Sequence, residues 1–217
     1  MLSRSLRAFA LALTIVCVDA ALPAAQTQTV TIVIVRHGET AGAVPPAQSP
    51  LSAVGRQRVA LLVDTLRGVR FTDIFATHTL RARQAVEPVA AAQKLPIVQL
   101  PVPGSILNGL LVSDQTSRQA AIEPIANALL KLPAGSVALV GGNSDNIYGI
   151  LNKLGVPVAA PGQTCPIGSM CVPCVTNECY PGTEYDRLWY LVIEANRAKP
   201  LTMIETRYGV GWSPAKN

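Results

Sequence analysis

The 217-residue chain is 49% apolar and only 14% charged, which excludes a disordered, solvating protein and suits one domain with a substantial core. Its formal charge of +5 is spread without a lysine or arginine run. That speaks against nucleic acid as a partner and mildly favours small anions.

Residues 1–24 read as an export signal: Arg4 and Arg7 lead, Leu6 to Val18 is apolar, and small residues around Ala20 to Ala25 offer a cleavage site. The stretch is short for a bilayer span. The expected mature unit, residues 25–217, is therefore outside the cytoplasm and free of the membrane. Its first element is the run Val30-Thr31-Ile32-Val33-Ile34-Val35, which predicts a strand buried on both faces of a parallel sheet. It ends in Arg36-His37-Gly38-Glu39-Thr40, where α/β folds bind ligands.

A Pro-rich connection then leads to Leu51-Ser52-Ala53-Val54-Gly55, with Ser52 the expected N-cap of a helix carrying Val59, Leu62, Val63 and Leu66 on one stripe. Phe71 to Ala76 predicts a second strand, running into Thr77-His78-Thr79-Leu80-Arg81-Ala82-Arg83-Gln84 and a helix to Gln93. Leu95 to Val98 predicts a short strand, Pro101 to Ser113 an irregular stretch, and Thr116 to Leu132 one helix capped near Ser113 or Asp114. Ser136 to Val140 is another buried strand, and Gly141-Gly142-Asn143-Ser144-Asp145-Asn146 opens a helix through Leu154. A Pro/Gly-rich insertion at about 158–184 follows, and strands over Leu188 to Glu194 and Leu201 to Tyr208 close the chain. This alternation predicts a three-layer α/β/α domain on a mainly parallel sheet.

Cys165, Cys171, Cys174 and Cys179 fall inside the insertion. In an oxidising compartment two disulfides are expected over a zinc site or a redox pair; three pairings are open. The stapled loop is expected to lie away from the pocket floor.

Arg-His-Gly-Glu-Thr after a strand, Leu51-Ser52-x-x-Gly55 at a helix entry, and Thr77-x-x-x-Arg81-Ala82-x-Gln84 after a second strand together resemble the histidine phosphatase superfamily, with its phosphoglycerate mutase-like fold. The resemblance implies a phosphoryl pocket in which His37 is the nucleophile and Arg36, Gly38 and Arg81 bind phosphate. It also implies a second histidine after the strand at 136–140, where this chain has Asn143; only His37 and His78 exist. Asn143 keeps an amide donor there without the charge. Two guanidinium forks suit phosphate, and a neutral imidazole can form a phosphohistidine that water cleaves. Losing one charged donor costs about two to three orders of magnitude in rate. Asp145, Asp114 and Glu39 are candidate general acids.

Two functions stand side by side. One is an exported phosphomonoester hydrolase of weakened activity acting through phospho-His37. The other is an inactive phosphate- or phosphoester-binding protein on the same fold. Neither implies a metal or other cofactor; the expected partner is a small phosphorylated molecule or phosphate, and the sequence does not set the oligomeric state.

Overall fold

The computed structural model describes residues 28–42, 48–100, 106–107, 110–111, 115–174 and 179–209. The export segment 1–24 and the acid candidate Asp114 lie outside them.

The β-branched run forms β1 (Thr29–Arg36). Successive side chains alternate between faces, so Val30, Ile32 and Ile34 enter one core and Val33 and Val35 another. The chain continues through α1 (Ala53–Thr65), β2 (Asp73–Ala76), α2 (Leu80–Gln93) and β3 (Ile97–Gln99). Ser52 caps α1 by accepting from Gly55 N at 3.0 Å. Within the stretch expected to be irregular, β4 (Ile106–Leu107) and β5 (Leu110–Leu111) pair antiparallel.

The single helix expected over 116–132 is instead α3 (Gln115–Ala120) and α4 (Ile122–Leu130). Pro124 explains the break. Its ring clashes with the carbonyl four residues back, and it has no N–H to bond it; that carbonyl belongs to Ala120, where α3 stops. There follow β6 (Val137–Gly142), α5 (Ile147–Lys153), β7 (Arg187–Glu194) and β8 (Pro200–Arg207).

The sheet order is β3-β2-β6-β1-β7-β8. The first four strands run parallel, whereas β7 is antiparallel to β1 and to β8. The sheet is thus mixed: β7 enters antiparallel to β1, and the short β7–β8 connection can only make a hairpin. Val59, Leu62, Val86 and Val89 of α1 and α2 cover one face, and Ile125, Leu129, Ile150 and Leu151 of α4 and α5 cover the other. The three-layer α/β/α architecture is as expected.

This arrangement sets the strand tips side by side. Arg36 pairs with Gly142 and Ala76 with Gly141. The ladder runs one residue further, through His37 N to Gly142 O (3.1 Å) and Thr77 N to Gly141 O (2.9 Å). Two close backbone approaches lock the tips to the helices. A Cβ on Gly55 would lie 2.1 Å from Glu39 O, and one on Gly38 would lie 2.8 Å from Gly55 O. A Cβ on Gly141 would lie 2.4 Å from Ala82 O of α2.

Disulfides join Cys165 to Cys171 and Cys174 to Cys179. The insertion does not stay clear of the strand tips, however: the segment just after Cys179 returns to them. Among the described residues no helix is long and apolar enough to cross a membrane.

Candidate active site

His37 sits just beyond β1, 6% exposed. Its Nδ1–H donates to Gly38 O at 2.7 Å; a carbonyl can only accept, so the proton is on Nδ1 and the Nε2 lone pair is bare. Nε2 accepts from Arg81 Nε at 3.1 Å. Burial first, and then the Arg81 charge, push the imidazole pKa down to about 3 against the pull of the Gly38 carbonyl. The ring is therefore neutral at any physiological pH, with its Nε2 electron pair turned toward Arg81. Gly38, expected to bind substrate, fixes the tautomer of His37 through its carbonyl.

Arg81 stands in the first turn of α2, 8% exposed. Burial, and next the charge of Arg118, lower its pKa to about 10, so it stays a cation at neutral pH. The motif around it is structural as well: Gln84 Oε1 accepts from Leu51 N at 2.8 Å, and Ala82 is fully buried. The second-strand motif thereby holds the α1 entry.

Asn143 is 1% exposed. In the amide orientation that satisfies both ends, its oxygen accepts from Arg81 Nε and a terminal Arg81 nitrogen at 3.1 Å each, and its nitrogen donates to Thr77 Oγ1 at 2.7 Å. Thr79 Oγ1 lies 3.3 Å from the same amide. The expected donor toward a ligand is thus an acceptor that holds Arg81. The helix expected to open beside it begins only at Ile147, after Asn146 Oδ1 has accepted from Asn143 N at 2.9 Å.

Arg36, 4% exposed, is occupied more heavily than a simple clamp would be. Its guanidinium donates to Pro181 O (2.9 Å), Glu184 O (2.5 Å) and Gly182 O (3.0 Å). The Tyr185 and Tyr180 rings lie 4.3 and 5.1 Å from it, within cation–π range. Arginine has five N–H donors; three go to this 181–184 strap, and Nε has no partner. Burial lowers its pKa.

The candidate acids separate. Glu39 is bound by Arg58 Nε to both oxygens, at 3.0 and 2.9 Å. Burial raises its pKa, but the Arg58 hydrogen bonds outweigh this and leave it lowered. A carboxylate so held is a poor proton donor. Asp145 pairs with Arg118, while its Oδ1 is buried without a partner. His78 is half-buried, and neither ring nitrogen has a hydrogen-bond partner. Among the described residues no cluster of His, Cys, Asp and Glu could hold a metal.

Three contributors had escaped the sequence reading: Arg118, Tyr180 and Tyr185. Arg118 belongs to no motif in the sequence, and the strap acts mainly through backbone carbonyls, which no residue type announces.

The profile of the histidine phosphatase superfamily, branch 1, matches residues 32–102, the span from β1 to just past β3. The fold is that of the histidine phosphatase superfamily. A candidate phosphohistidine phosphatase SixA from Nakamurella multipartita shares this fold with a TM-score of 0.54, covering 83% of this chain and 97% of that one at 16% identity. The native mycobacterial glucosyl-3-phosphoglycerate phosphatase does so with a TM-score of 0.52, covering 83% and 98% at 12% identity. At such identities the likeness is one of histidine phosphatase fold alone. No curated protein sequence matches this chain.

Proposed function

We propose that the protein is an exported phosphomonoester hydrolase that works through phospho-His37. The observation that carries this reading is the state of His37: neutral, held by Gly38 O through Nδ1, with Nε2 facing a buried arginine. A neutral imidazole with an oriented lone pair is the form that attacks phosphorus. As a phosphoryl group enters, Arg81 turns its N–H groups from Nε2 and the Asn143 oxygen to the phosphoryl oxygens, where charge grows in the transition state. The P–N bond to His37 forms as the P–O bond to the leaving group breaks, and water then cleaves the P–N bond to release phosphate. Arg36 supports this from its strap, its Nε–H being uncommitted. The phosphatase names of the two structural neighbours fit this chemistry. Export agrees with the amino-terminal segment and with the two disulfides.

The test is chemical. Incubation with acetyl phosphate or an aryl phosphate should leave an acid-labile, alkali-stable phosphate on His37 that disappears in His37→Ala. A second reading, a phosphate-binding protein without turnover, is favoured by two findings: Asn143 adds no charge, and Arg36 spends three N–H groups on the strap. Phosphate binding with no labelling of His37 would decide for it.

A further inference from the structure

We infer that His78, which shares the tips of β2 and β6 with Asp145 and has both ring nitrogens buried and unpartnered, is the catalytic residue that moves the proton at the leaving-group oxygen; this rests on the phospho-His37 reading. His78 lies at the carboxyl end of β2, between Thr77 and Thr79, whose hydroxyls both meet the Asn143 amide. It is one turn before Arg81, whose Nε reaches His37. Asp145 is two residues beyond Asn143. Both residues therefore belong to the same tips of β2 and β6 that build the pocket.

Their polar atoms are unusually idle. His78 Nδ1, His78 Nε2 and Asp145 Oδ1 are all buried, and none has a hydrogen-bond partner. Buried polar atoms are nearly always paired, so three orphans on the two segments that follow β2 and β6 call for an explanation. A reacting group that brings its own donors and acceptors supplies one. Asp145 holds Arg118 with its other oxygen, which makes it an acceptor and leaves the imidazole as the group able both to take and to give a proton.

The charges that act on His78 are those of Arg81 in α2, Arg118 in α3 and Asp145 after β6. Burial, then Arg81 and Arg118, lower its pKa, while Asp145 opposes them. His78 thus rests neutral. A phosphomonoester monoanion carries one proton on the phosphoryl group. Neutral His78 takes that proton and passes it to the ester oxygen as the P–O bond breaks and the bond from phosphorus to His37 Nε2 forms. In the second half it takes a proton from the attacking water as the P–N bond breaks, and the proton leaves with phosphate. No other reactant is needed.

The experiment compares first-turnover release of phenol from phenyl phosphate with release of dinitrophenol from 2,4-dinitrophenyl phosphate, in the wild-type mature chain and in His78→Gln and His78→Asn. Phenolate needs a proton to leave, and dinitrophenolate does not. Both variants should slow phenyl phosphate by about 100-fold or more, leave the dinitrophenyl ester within about threefold, and still label His37. Equal losses on both esters, or no loss on either with labelling intact, would overturn the role of His78 and keep the phospho-His37 reading. Absence of labelling in the wild type with both esters would overturn the reading and this inference together.

Discussion

A buried imidazole kept without its charge leaves a mark on stability. The folded pKa of His37, about 3, lies below the value of about 6.5 expected when unfolded. Between those values the unfolded chain binds more protons than the folded one, so stability falls as pH drops from 6.5 toward 3. One such proton contributes a slope of up to about 1.4 kcal/mol per pH unit. His37→Gln should flatten that part of a melting-temperature profile; an unchanged slope would mean that the imidazole is not buried neutral. Asn143 is the other decisive residue. Once phosphate has drawn Arg81 away from residue 143, Asn143→His should raise kcat about tenfold or more by placing a charged donor there, and the gain should vanish in a His37→Ala background. Phosphate affinity should change less than kcat, because the arginines dominate ground-state binding. No gain in a wild type that already turns over at an ordinary rate would give the role to another group.

At the level of elements, the pocket depends on backbones that touch. Gly55→Ala would force a methyl group against Glu39 O, and overpacking of this kind costs about 1–3 kcal/mol. Because the displaced atoms belong to the loop that carries His37, labelling of His37 by acetyl phosphate should fall along with the melting temperature. Gly68→Ala meets nothing within 4 Å and should be neutral within about 0.5 kcal/mol; equal effects at both sites would refute the packing argument. These glycines also show what a sequence can reveal. The β1 run, the Ser52 cap and the Leu51-Ser52-x-x-Gly55 and Arg81-Ala82-x-Gln84 patterns were legible because each is written in residue identity: β-branching, a capping hydroxyl, missing side chains, one amide. The break between α3 and α4 was also written, at Pro124, but an apolar stripe concealed it. The antiparallel direction of β8 against β7 followed from a short hairpin. The engagement of Arg36 by three carbonyls was not legible, since every residue carries a carbonyl and only the folded path decides which ones converge.

On the scale of the whole molecule, the insertion and the pocket are one mechanical system. The Cys174–Cys179 disulfide ends one residue before Tyr180, whose ring packs beside Arg36, and the carbonyls that accept from Arg36 begin at Pro181. The Cys165–Cys171 bridge closes a separate loop earlier in the chain. A paired Cys174→Ser, Cys179→Ser change should therefore lower the rate of His37 phosphorylation several-fold, whereas Cys165→Ser with Cys171→Ser should leave it near wild type. Labelling kinetics on folded protein, checked by circular dichroism, would measure the difference, and equal effects would disprove the link. The consequence concerns timing in the life of the chain. Apolar burial builds the strands and helices, whereas the path that brings the 181–184 carbonyls to Arg36 is tied by the Cys174–Cys179 bridge. On the reading of the protein as an exported phosphatase, a newly made chain in a reducing cytoplasm would be folded yet catalytically unripe, and cytoplasmic phosphoesters would be spared until oxidation completes its maturation.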